Sequence, residues 1–211
     1  MSDRRRVPRR LLTIEEYLRF EERAPTKHEY VAGRVYAMSG VSVTHERIVL
    51  NLTLALASRL RGSGCELFSK DLKVRVDDRV YYPDLLVRCG ERLRGDTLVV
   101  TDPCLLVEVL SPGTRNVDRR DKRPAYQSIP ELRTYLIVDQ QRRHVERYWR
   151  DASGAWRYTE LAGTGTVPLE CLRARLTLDL IYADTDVPDR PLRRVRERSR
   201  VAYRADASPA E

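Results

Sequence analysis

The sequence predicts one α/β (α+β) domain, a mixed central sheet flanked by helices, and three observations carry that expectation. Thr13-Ile14-Glu15-Glu16 has the form of a capping box, threonine and glutamate each satisfying the other's end of a helix start. From about Thr44 to Arg61, Ile48, Leu52, Ala55, Leu56 and Leu60 recur at three- and four-residue spacing, the mark of a helix with one apolar face. Short runs rich in Val and Leu then alternate with turn residues, as strands do. Helix, hairpin, helix, strands, helix and strands in that order give a mixed layer architecture.

The first helix is expected to end near Arg23, ahead of Pro25. Lys27–Met38 reads as an extra N-terminal β-hairpin turning at Ala32-Gly33. Gly62 and Gly64 stop the long helix. Glu66–Ser69, Leu72–Val76 and Asp84–Cys89 read as strands, with Asp77-Asp78-Arg79 as the turn between the last two. Leu105–Leu110 is apolar except at Glu108, which predicts a central strand covered on both faces. A polar stretch to about Ser128 reads as loop, then helix. Tyr135–Val138, Val145–Trp149 and Trp156–Leu161 form a meander, and Leu176–Tyr182 adds a short helical or strand segment. Residues 12–186 are thus expected to be the domain, between a basic tail at 1–11 and an Arg-rich, disordered tail at 187–211.

The bulk charge says less than it first suggests. Of the net +8 over 211 residues, residues 1–12 supply +4 and residues 187–211 supply +3, leaving the middle near neutral. Arg-rich ends are usually solvated, though they can grip phosphates without sequence preference. No apolar run approaches the length of a membrane span, and no apolar segment follows the basic start as in a signal peptide. Cys65, Cys89, Cys104 and Cys171 lie far apart without a CxxC pair, which excludes the usual zinc spacing. They are expected to be reduced, mostly buried thiols, consistent with a cytoplasmic protein.

Glu108 is the residue that ordinary folding does not explain. A carboxylate inside LLVEVL is buried, and an uncompensated buried charge costs several kcal/mol. An arginine, a proton or a metal can compensate it. Asp84 follows Pro83 at the entry of another apolar strand. Two carboxylates on neighbouring strands repel by about 1–4 kcal/mol at roughly 4 Å, and a divalent cation resolves the conflict. Mg²⁺ takes one or two carboxylates plus water and a phosphate oxygen, polarises the phosphate and lowers the pKa of its water.

Tyr82-Pro83-Asp84 followed by Glu108-Val109-Leu110 resembles the PD-(D/E)xK signature of restriction-endonuclease-like proteins. The wider context is more specific: Tyr30-Val31-Ala32-Gly33-Arg34, His45-Glu46-Arg47-Ile48, Val107 to Thr114, Asp118 with Lys122 and Tyr126, Ile129-Pro130, and Tyr135 to Asp139. Together these are similar to the Uma-two family of restriction-endonuclease-like proteins, from about Leu12 to Tyr182. The resemblance implies a restriction-endonuclease-like fold and hydrolysis of DNA with Mg²⁺, for which Mn²⁺ substitutes. It implies Asp84 and Glu108 as metal ligands, with the carbonyl of Val109 as a third. Glu29, placed at the end of the first helical region, supports the metal through water.

Leu110 stands where the usual lysine would be, and the family pattern moves that role to Lys122 on the following helix. Tyr126 lies four residues on, sharing its face, and Gln127 is a weaker neighbour. Pro124 is compatible with this if Asp121 is the N-cap, so that the proline falls in the first turn; a break there would swing Lys122 out. His45 is either a phosphate contact and proton acceptor or a cap residue packing on the hairpin. His28 and His144 have no evident partner. Arg115, Arg119, Arg120 and Arg123 either line a DNA groove or form a solvated face, and Tyr81, Tyr82, Tyr148 and Trp149 read as packing residues. The resemblance also implies a homodimer. Two other classes stay open: a nuclease-like fold that binds nucleic acid or a partner without cutting, and a structural assembly subunit.

Overall fold

The computed structural model describes residues 8, 10–111 and 117–188. Most of both expected tails, together with Arg115 and the Pro112-Gly113-Thr114 part of the sequence pattern, lies outside them.

Helix α1 spans Ile14–Glu21, and the Thr13/Glu16 capping box is formed in both directions. Strands β1 (His28–Val31) and β2 (Arg34–Ala37) make the expected hairpin. Ala32 and Gly33 turn it with φ of +46° and +86°, and a Cβ on Gly33 would lie only 3.0 Å from Leu11 Cβ. Helix α2 spans Val43–Leu60, with the Ser42 hydroxyl accepting from the His45 amide as its N-cap.

The chain then divides between two sheets. Strands β3 (Cys65–Ser69) and β6 (Leu85–Cys89) enter one, while β4 (Lys73–Val76) and β5 (Arg79–Tyr81) enter the other. The sequence reading placed the Asp77-Asp78-Arg79 turn between β4 and the strand carrying Asp84. In fact Asp77-Asp78 joins β4 to β5, and Arg79 already pairs with Val76. Tyr82-Pro83 then carries the chain across to β6, proline having no amide to continue a ladder.

The larger sheet runs β11-β10-β9-β8-β6-β3, where β8 is Leu105–Leu110, β9 Thr134–Asp139, β10 His144–Arg150 and β11 Trp156–Ala162. The β8–β9 pair is parallel and the others antiparallel, so the sheet is mixed as expected. The smaller one runs β2-β1-β5-β4-β7, closed by the two-residue β7 (Val99–Val100). Strands β12 (Thr166–Leu169) and β13 (Ala174–Thr177) form a hairpin, followed by α4 (Leu178–Ile181). Neither β7 nor that hairpin is legible in sequence, because both are too short to show a period.

Strand alternation sorts the larger sheet into two interiors. Leu105, Val107 and Val109 pack with Ile48, Leu52 and Leu56 of α2 and with β12, β13 and α4. Leu106 and Leu110 pack with Tyr126, Tyr135, Ile137 and Tyr81 on the opposite face. Every residue of β8 is buried, as a doubly covered strand requires.

The cysteines depart from expectation. Cys65 and Cys89 face each other directly across β3 and β6 and are joined by a disulfide. A separation of 24 residues hides such a pair, since only the register brings it together. Thiol state therefore gives no argument for a cytoplasmic location. Among the described residues no helix is long and apolar enough to cross a membrane.

Candidate active site

Glu108 lies at the fourth position of β8, on the face toward the segment that follows that strand. There, a π-helical turn at Asp118–Lys122 runs directly into a short helix, α3, at Arg123–Gln127. Asp121 is thus inside the helical segment and is not the expected N-cap. The Arg123 amide donates to the Asp118 carbonyl, five residues back. This wider turn relieves the steric conflict that Pro124 would impose on a regular helix, and π-bulges do recur at functional sites. Lys122 accordingly stays inside, only 3% exposed.

The Lys122 ammonium meets three carboxylates: Glu29 Oε1 at 2.7 Å, Glu108 Oε1 at 3.1 Å and Asp118 Oδ1 at 3.3 Å. The Tyr126 hydroxyl, one helical turn on, donates to the same Glu108 oxygen at 2.9 Å. Glu29 is not at the end of a helical region; it sits on β1, opposite Tyr36, and reaches Lys122 from the smaller sheet. Its Oε1 also accepts from the Tyr82 amide at 3.4 Å. Asp84 precedes β6, and its Oδ2 accepts from the Val109 amide at 2.7 Å while His45 Nε2 lies 3.2 Å away. The donor at that histidine contact is Nε2–H, since a carboxylate oxygen only accepts. His45 Nδ1 is buried with no hydrogen-bond partner among the described residues.

Three carboxylates thus surround one ammonium, and Asp84 lies near enough to Glu108 to act on its charge. Burial pushes the Glu108 carboxyl well above its usual range; Lys122 opposes that shift, while Asp118, Asp84 and Glu29 add to it. Burial disfavours the Lys122 charge, but Glu108, Glu29 and Asp118 outweigh it and hold the ammonium protonated well above its ordinary value. Burial likewise raises the Tyr126 hydroxyl, so it remains a proton donor to Glu108. The cluster retains an excess of acceptor oxygens over positive charge.

A cavity of about 320 Å³ opens onto these groups, lined by Glu29, His45, Asp84, Glu108, Val109 and Lys122. Tyr36, Met38 and Val41 also line it. The structure therefore brings Asp84, Glu108, Lys122, Glu29, Val109 and His45 to one cavity, with Tyr126 bonded beneath it. Gln127 is not among the lining residues; its carbonyl instead accepts from Arg150 and from the Trp156 indole. Asp118 is the close Lys122 partner to which sequence reasoning gave no role. Its i, i+4 spacing to Lys122 was the available signal.

Residues expected elsewhere also find their places. Arg119 pairs with Glu146 and Arg123 lies over the Tyr148 ring, so these two arginines brace β10. Tyr81, Tyr82 and Tyr148 are buried packing residues. His28 pairs with Glu21, and His144 with Glu160.

The donor set suits a hard divalent cation. Asp84 and Glu108 offer oxygens only, and Mg²⁺ needs just one or two carboxylates. Among the described residues no group of three or more His, Cys, Asp or Glu converges as an all-protein cage, so water or phosphate oxygens would have to complete the shell.

Buried carboxylates and a lysine thus meet at one cavity of a mixed sheet flanked by helices. The chain belongs to the Uma2 family: the family model described as "Putative restriction endonuclease" matches residues 14–180. The protein slr1290 of Synechocystis sp. is 36% identical over 173 residues, covering 81% of this chain and 91% of its own length. A second protein of that organism, sll1609, is 34% identical over 158 residues, covering 73% and 89%. Among solved structures, a "putative nuclease belonging to DUF820" from Anabaena variabilis superposes with a TM-score of 0.63 at 15% identity, covering 82% of this chain and 98% of that one. At that identity it speaks for the fold alone.

Proposed function

We propose that the protein is a divalent-cation-dependent endonuclease that hydrolyses DNA phosphodiester bonds through a PD-(D/E)xK-type site, with the lysine supplied by α3. The observation that carries this reading is the Lys122 ammonium held by Glu108, Glu29 and Asp118 on a cavity that Asp84 also lines. Asp84, Glu108 and the Val109 carbonyl would hold Mg²⁺ or Mn²⁺, which supplies a polarised phosphate and an acidified water. Lys122 orients the attacking water and offsets charge on the phosphate. Tyr126 fixes the Glu108 carboxyl by donating to Oε1. His45 positions Asp84 through Nε2. Glu29 braces the ammonium from the opposite sheet.

The substrate is taken as DNA on the strength of the family description, and a homodimer is proposed from the sequence resemblance alone. The domain is proposed to be residues 12–186. The test is cleavage of linear, supercoiled and single-stranded DNA with Mg²⁺ or Mn²⁺. Asp84→Ala is expected to lower the rate by roughly 10²–10³-fold, the scale of losing one electrostatic stabiliser. Unchanged cleavage in that variant rejects the site. Divalent-cation binding without cleavage would favour the non-catalytic reading.

A further inference from the structure

The four cysteines are scattered in sequence and come together in space. Cys65 and Cys89 are bonded; Cys104 Sγ lies 3.5 Å from Cys89 Sγ; and Cys171 packs against the same interior as Cys104. All four belong to the apolar interior on the α2 side of the larger sheet. Cys65, Cys89 and Cys104 form a path of touching sulfurs, and Cys171 shares their interior. Cys104 is buried, whereas Cys65, Cys89 and Cys171 are partly exposed. Nothing in the carboxylate site uses them.

We infer that these residues form a thiol–disulfide relay, open at Cys65 and Cys171 to a low-molecular-weight thiol–disulfide couple. Disulfide exchange requires a thiolate to approach a disulfide sulfur, and Cys104 already touches Cys89. In the internal step the Cys104 thiolate forms a bond to Cys89 Sγ, the Cys65–Cys89 bond breaks, and Cys65 leaves as a thiolate. It takes up the proton that Cys104 gave, so no electrons enter or leave the protein. In the external step the Cys171 thiolate attacks a small-molecule disulfide, releasing one small thiolate. Cys104 then attacks Cys171 Sγ and releases the second. That forms Cys104–Cys171 and reduces one small-molecule disulfide to two thiols. Cys104 and then burial raise the Cys171 thiol, so this step is slow near neutrality and quickens with pH.

The experiment equilibrates the full chain in glutathione buffers from reducing to oxidising. Samples are quenched in acid and alkylated, and linked peptides are identified by mass spectrometry. The wild-type chain is expected to carry Cys65–Cys89 together with Cys104–Cys171 at the oxidising end. At intermediate poise Cys89–Cys104 is expected as well. In Cys65→Ser the bond moves to Cys89–Cys104 in most molecules. In Cys104→Ser the Cys65–Cys89 bond persists while Cys171 no longer pairs within the chain. Cys104 and Cys171 fully alkylated at every poise in the wild type would overturn the relay, as would a chain without any disulfide at the oxidising end. The readout needs no nuclease activity, so it stands or falls apart from the proposed reaction.

Discussion

The two faces of the larger sheet bury heteroatoms of different kinds and settle them differently. On the α3 side, Glu108 and Asp84 are carboxyl groups that need Lys122, Tyr126, His45 and the Val109 amide around them. On the α2 side, Cys89 and Cys104 are small apolar groups that pack with Leu, Ile and Val and need no countercharge. Strand β8 serves both, since Leu105 and Val107 point one way and Glu108 the other. The difference teaches where stability has been exchanged for chemistry. A carboxylate in a sheet interior is a cost unless something binds it, while a thiol there is nearly neutral.

Breaking the charged side should have the largest effect. Lys122→Ala leaves Glu108, Glu29 and Asp118 buried without their cation, and a loss of about 3–5 kcal/mol is expected in denaturant unfolding. Millimolar Mg²⁺ should restore part of it, because a cation can occupy the vacated charge. If Mg²⁺ shifts the midpoint no more than it does in wild type, the carboxylates do not form a cation site. On the apolar side, Leu105→Ala is expected to cost about 2–4 kcal/mol through the cavity it leaves. Here the Mg²⁺ dependence of the melting temperature should match wild type, and a changed dependence would mean that the two faces are coupled.

A subtler comparison follows from pH. The Glu108 carboxyl is raised in the folded protein, so the folded state holds a proton that the unfolded chain has released. Stability of the metal-free protein should therefore fall as pH rises from the ordinary carboxyl value of 4.5 up to the raised one. Lys122 does not oppose this in that range: its pKa is raised too, so its contribution is complete below 10.5 and is lost only at higher pH. Glu108→Gln should flatten the slope and raise the neutral-pH stability by about 1–2 kcal/mol, while cleavage is lost. Thermal melts across pH 4–8 check the sign, and a stability that rises over this interval, unaltered by the substitution, would contradict it.

The smallest effect is expected at Tyr126→Phe, which removes one hydrogen bond to Glu108 and should cost about 1 kcal/mol. Cleavage should slow by roughly 10-fold, the low end for groups that orient a metal-binding side chain. A fall of the same size in Tyr135→Phe, whose hydroxyl donates to the Asp118 carbonyl and not to Glu108, would show that packing rather than orientation is responsible.

Much of the site was legible because a chemical anomaly marked it. Glu108 stands alone in an apolar run, and Asp84 follows a proline at a strand entry, so both could be found before any contact was known. Lys122 came from the family resemblance, and its retention inside depended on a π-helical turn that no period in the sequence announces. Glu29 was found but assigned to the end of the first helical region, although the hairpin read over Lys27–Met38 already contained it. Asp118 was named only as part of the family pattern, without a role, although its i, i+4 spacing to Lys122 was open to reading; the Cys65–Cys89 bond was not, because it depends on which residues the register sets opposite one another.

The sequence by itself determined the capping box of α1, the hairpin turning at Ala32-Gly33, the buried course of β8 and the presence of two carboxylates in need of compensation. Those follow from local propensity and from the cost of burying charge, which are properties of neighbouring residues. Only the tertiary structure decided that the chain crosses between two sheets at Tyr82-Pro83, that one ammonium answers three carboxylates, and that four distant cysteines share one interior. Those are matters of strand register and packing across tens of residues, where many pairings satisfy the same pattern and only the assembled fold selects one.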